Sequence, residues 1–142
     1  MRRQMTGPDY TNIMRRHAAT LNPVWMTLAP LGDEDLMMTR INEHLALGEL
    51  AGWSGAPIDL EVLQRAVHVA RALAGMGYGA DELPAVSRAA AALTKCRTIR
   101  PHSMGMQPDD LAAVRELVRL IEAQRAVAPA KDYAKALLCC SR

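Results

Sequence analysis

The residues that could do chemistry in this chain are four histidines, three cysteines and a set of carboxylates. His17, His44, His68 and His102 fall in no H-x-x-x-H or H-E-x-x-H spacing, so no helix turn presents two imidazoles to one metal ion. His44 and His68 lie inside helical patterns and could face each other, as hydrogen-bonded or surface groups. Cys139 and Cys140 are adjacent, which does not place both sulfurs on one tetrahedral ion, and Cys96 has no cysteine at ligand spacing. The ending Cys139-Cys140-Ser141-Arg142 has the length of a prenylation box, but its last two residues do not suit one, so it reads as an exposed, oxidation-prone end. No serine or cysteine sits on a strand–turn–helix elbow. The carboxylates gather at helix starts, where capping and the helix dipole explain them. Sequence reasoning therefore assigns no catalytic residue, no metal ligand and no cofactor.

The elements that would position any such groups are helical. Asp59–Ala74 carries Leu60, Leu63, Val67, Ala70 and Ala74 at steps of three and four, widened by Val62, Ala66, Val69 and Leu73. Asp59 reads as its N-cap and Gly75 and Gly77 as its stop, which makes it the central helix of a bundle. Before it, Asp33-Glu34-Asp35 opens a helix whose inward face is read as Met37, Ile41, Leu45 and Gly48, flanked by Leu36, His44, Leu47 and Leu50, ending near Ala51-Gly52. Trp53 in the connection is expected to fold back on the core. After the turn Gly75–Gly79, Asp81 caps a helix expected to run to about Ile99 with Leu83, Val86, Ala90, Leu93 and Arg97 on one face, and a loop follows over Arg100–Gln107. Pro108 starts a further helix with Leu111, Val114, Val118 and Ile121 inward. Glu116, Glu122, Arg115, Arg119 and Arg125 are placed on its outer surface. Pro129 breaks it, and Ala130–Leu138 forms the last helix. Ile13–Leu21 is a further short helix, and Asn22-Pro23 begins an apolar turn.

No segment alternates like a strand. The expectation is an all-α fold, an antiparallel helical bundle of five to six helices in a single domain: a flexible basic N-terminal arm over 1–12, the bundle over 13–138, and a tail over 139–142. A chain of 142 residues buries roughly 68–70% of its unfolded surface, enough for one core without disulfides or metal. No apolar run spans a bilayer, no secretory signal is present, and three cysteines do not make a disulfide framework; the expected setting is the cytoplasm, with no membrane partner.

The net charge of +2 does not by itself indicate a nucleic-acid partner. Two local clusters, Arg15 with Arg16, and Lys95, Arg97 and Arg100, are the candidate contacts to nucleic acid or to an acidic partner. Leu73–Ala92 reads helix, glycine turn, helix, and Val86-Ser87-Arg88 matches the start of many recognition helices, although Ala80 stands where the turn glycine belongs and Pro84 lies inside the second helix. Residues 108–138 show more apolar surface than one face needs. Leu117, Leu120, Tyr133, Leu137 and Leu138 are accordingly the candidate homodimer interface.

The central portion resembles small alanine- and arginine-rich helical proteins encoded by phages and prophages of proteobacteria. The similar stretches are Gly32–Leu36, Leu83-Pro84 with Ala91–Leu93, Asp110–Val114, Gln124 and Ala134–Leu137, over roughly residues 30–138, with a departure at Arg100–Gln107. The resemblance implies an accessory protein of a phage or mobile element and transfers no functional residue. The expected function is a non-enzymatic helical interaction protein that binds a host protein. The alternatives are a small DNA-binding regulator with a degenerate helix-turn-helix, and an unrecognised enzyme.

Overall fold

The computed structural model describes residues 33–101 and 103–140, with side chains from Leu36 to Cys139. The N-terminal arm, the Ile13–Leu21 helix, Arg15, Arg16, His17, His102 and the acidic side chains of Asp33–Asp35 lie outside the described residues. Within them the chain is all-α in character, with five helices and one minimal hairpin: α1 (Asp33–Ala51), α2 (Pro57–Gly75), a 3-10 turn (Ala80–Glu82), α3 (Leu83–Thr94), β1 (Arg97–Thr98), β2 (Met104–Gly105), α4 (Pro108–Val127) and α5 (Ala130–Cys140).

The helix read as central is central: α2 packs against each of the other four. Its buried residues Leu63, Ala66, Val67, Val69, Ala70, Leu73 and Ala74 form a band wide enough to face several neighbours, and the small alanines let those neighbours approach. Its start differs from the expectation. Pro57 occupies the first turn, where a missing N–H costs nothing, and Ala56 is the N-cap. Asp59 sits three residues on and accepts a hydrogen bond from the Ala56 N–H at 2.8 Å, so it caps from inside the helix. The glycine turn behaves as read: Gly77 and Gly79 have φ of 103° and 82°, where a side chain would be strained.

Helix α1 has the expected span, but the face turned inward is that of the flanking Leu36, Leu47 and Leu50, not the expected centre of the stripe. Leu36, Glu43, Ala46 and Leu50 are buried, while Met37, Ile41 and Leu45 are exposed. At about 100° per residue, Ile41 lies about 180° from Leu50, so the stripe taken as the core face points directly away from the core.

Helix α3 ends at Thr94, not near Ile99, and Leu83 on its expected face is exposed. Beyond it the chain forms a hairpin where only loop and helix were expected. Ser103 N–H donates to Arg100 O at 2.9 Å across Pro101, a tight turn with proline at its second position. Arg97 pairs with Gly105 and Thr98 with Met104. Met104 exchanges two 2.9 Å hydrogen bonds with Gly55, so the α1–α2 connection extends the hairpin. Trp53 does fold back, with φ of 58°, and its ring lies on Gly105, where a Cβ would overlap the ring. Two-residue strands are too short to show alternation, and their partner at Gly55 is far away in sequence. Both facts hide the hairpin from a pattern reading.

Helix α4 buries Leu111, Val114, Leu117, Val118, Ile121, Gln124 and Arg125. Arg125 was expected on the outer surface; it is among the most buried side chains of the chain. Helix α5 runs through Cys140 and thus takes up the start of the expected tail.

Candidate functional site

The most unusual chemistry in the structure is a buried charge cluster. On α4, Val114, Val118 and Ile121 point inward at steps of four and three, and Arg125 is the next residue in that register, so the helix carries a guanidinium into the core. On α1, Glu43 stands seven residues from both Leu36 and Leu50, again on the inward face. The two meet end to end: Arg125 Nη1 donates to Glu43 Oε1 at 2.8 Å and Nη2 to Oε2 at 2.6 Å. Arg125 Nε donates to the Tyr133 hydroxyl of α5 at 2.9 Å, with the guanidinium 5.6 Å from the ring centre. Burial pushes the guanidinium pKa down, but the hydrogen bonds and charges of Glu43 and Tyr133 outweigh it, so Arg125 is held above its ordinary value and stays charged. The cluster ties α1, α4 and α5 together with planar, bidentate geometry that lysine could not supply.

Above this cluster a cleft of about 170 Å³ opens between α1, α2 and α5. Glu43, Arg125 and Tyr133 line it together with Ile58, Val62, Ala66, Val69 and Leu137, and Glu61 and Arg65 lie along its α2 side.

The second feature is the outer stripe of α1. Met37, Met38, Ile41 and Leu45 are exposed by 52%, 49%, 42% and 60%, on consecutive turns of one helix. Along one edge, His44 Nε2 lies 2.9 Å and Arg40 Nε 3.5 Å from Glu122 Oε2 of α4, and a shallow groove runs between these groups and the apolar side chains. His44 thus meets α4, and His68 is exposed on α2, so the two histidines do not face each other.

The remaining residues singled out from the sequence are dispersed. Lys95 forms a 3.0 Å ion pair with Asp110, while Arg97 and Arg100 are exposed on the hairpin. The hollow beside them is lined by Asp109 and Asp110 as well as by Lys95 and Arg97, so its charge is mixed. In the helix–turn–helix segment, Val86 is buried against the core, with Ser87 and Arg88 exposed. Of the dimer candidates, Leu117 and Tyr133 are buried inside the subunit, Leu120 and Leu137 pack partly against the core, and Leu138 alone is exposed. The apolar excess of residues 108–138 is spent on α2 and α3, so Leu117 and Tyr133 present no surface to a second copy. Cys96 is half-buried, its Sγ 3.4 Å from Gly105 O, and burial raises its thiol pKa; Cys139 is exposed. Among the described residues no group of three His, Cys, Asp or Glu is placed to hold a metal ion, and no helix is long and apolar enough to cross a membrane.

Sequence reasoning missed Glu43 and Arg125. A signal was present: each is a charge standing in an apolar register, and they have opposite signs. No family model, curated protein or solved structure matches this chain.

Proposed function

We propose that this chain is a small helical interaction protein that binds a protein partner through the outer stripe of α1. The observation that carries this reading is that α1 is apolar on two opposite faces and only one packs against the bundle. A helix apolar all round is stable when both faces are covered, and contiguous exposed apolar side chains mark interaction sites. Covering the exposed halves of four such side chains contributes about 3–6 kcal/mol, at about 1.5–3 kcal/mol for a full side chain. Micromolar binding needs about 8 kcal/mol net of the cost of association, so the partner must bury an apolar surface of its own. The groove between Ile41 and the Arg40–His44–Glu122 edge suits an amphipathic helix laid along α1. In this reading the protein is an accessory factor of a phage or mobile element, as the resemblance implies, and acts without catalysis, in the cytoplasm, on a host protein.

The test is capture from a bacterial lysate treated with nuclease, comparing the natural chain with Ile41→Glu/Leu45→Glu. Both substitutions lie on the exposed face, so circular dichroism should be unchanged. The expected result is a protein captured by the natural chain and lost by the variant. Equal capture by both, or capture of nucleic acid alone, overturns the reading.

A further inference from the structure

The cleft between α1, α2 and α5 is distinct from the α1 outer stripe and has its own chemistry. We propose that it binds a small uncharged molecule with an apolar body and one hydrogen-bond acceptor, held by Arg125. The guanidinium has five N–H donors. Three are committed, one to Tyr133 and two to Glu43, which leaves one on each of Nη1 and Nη2. Among the described residues nothing else accepts from them. Arg125 is 1% exposed and lines the cleft, so these donors are shielded from bulk water at a site a ligand can enter. A buried donor without an acceptor is costly, and a carbonyl or ether oxygen removes that cost.

The rest of the cleft fixes the class. Ile58, Val62, Ala66, Val69 and Leu137 give it apolar walls, while Thr39 and Asn42 add a polar stretch on the α1 side. Its volume of about 170 Å³ compares with the cavity of about 150 Å³ that accepts benzene, so one ring is the right size. The Glu43 carboxylate, 2.6 Å from Nη2, already neutralises the guanidinium and would stand beside any incoming anion. A neutral acceptor is therefore favoured over a carboxylate.

The experiment is a titration of the isotopically labelled full chain, followed by amide chemical shifts, with three ring-sized probes: cyclohexanone, benzene and cyclohexanecarboxylate. The expected result is saturable shifts confined to α1, α2 and α5 around the cleft. Cyclohexanone should bind at least about tenfold tighter than the other two, as a hydrogen bond to a charged donor provides. Val62→Phe, which places a ring in the cleft while leaving Arg125 and Glu43 in place, should abolish the cyclohexanone shifts. Equal affinities for cyclohexanone and benzene, tighter binding of the carboxylate, or no saturable shift would each overturn the proposal. The probe ranking is read on the natural chain and stands whether or not Val62→Phe folds.

Discussion

Removing the Glu43 carboxylate should be among the most damaging single changes in this protein. Glu43→Leu puts an apolar group of similar volume in place of the carboxylate and leaves the Arg125 guanidinium buried, with the Tyr133 hydroxyl its remaining partner among the described residues. Arg125 is 1% exposed, so bulk water reaches its guanidinium poorly and replaces the carboxylate only in part. Breaking a buried pair from one side costs about 3–5 kcal/mol, out of a total stability of about 5–15 kcal/mol for a domain. The exposed pair Arg119–Glu116, at 2.8 Å, has the same kind of partners and a comparable distance. It is solvated, so Glu116→Gln should cost at most about 1 kcal/mol. The contrast separates burial from ion pairing as such. The double change Glu43→Leu/Arg125→Met removes both charges and fills the space with apolar groups. It should cost less than Glu43→Leu alone, because the single variant's penalty comes from the stranded guanidinium. Urea unfolding followed by circular dichroism gives all three values. Glu43→Leu costing below about 1 kcal/mol, or a double variant costing the sum of the two singles, would refute the reasoning.

Other expected outcomes follow from single contacts. Gly105→Ala places a methyl group in the Trp53 ring and should cost about 1–3 kcal/mol in urea unfolding, as overpacking does, whereas Gly75→Ala, with open space around its Cβ position, should not. Thiol labelling read by mass spectrometry should modify Cys139 before Cys96. Burial raises the Cys96 pKa, so at a given pH less of it is thiolate; the native state favours the protonated thiol, and stability should fall as pH rises from the ordinary thiol range through the raised value. If the chain pairs with itself, sedimentation equilibrium should show the mass reduced by Ile41→Glu. Leu117→Glu should instead unfold the subunit, because Leu117 is fully buried within it.

The helices were legible where apolar spacing and the inward face coincide. In α2 and α4 the residues at steps of three and four are the buried ones, and the prolines and glycines at their ends mark the boundaries within a few residues. In α1 the spacing was present but misdirected. Met37, Ile41 and Leu45 form the more apolar stripe, while the buried stripe contains Glu43, whose carboxylate is paired with Arg125. A local pattern cannot show that a carboxylate has a partner 82 residues away. The hairpin was hidden for a similar reason, since β2 depends on Gly55 and Trp53. The candidate site joins three helices at Glu43, Arg125 and Tyr133. Only Tyr133 was singled out from the sequence, and for a different role.

The measurement that bears most directly on the proposed function is photo-crosslinking from position 41. A photoreactive phenylalanine analogue at Ile41 sits at the centre of the exposed stripe, and the same analogue at Ser87, exposed on α3, serves as the control. In a nuclease-treated lysate, position 41 should give a discrete protein adduct, and position 87 none. No adduct at 41, or the same adduct from both positions, would contradict a binding face on α1.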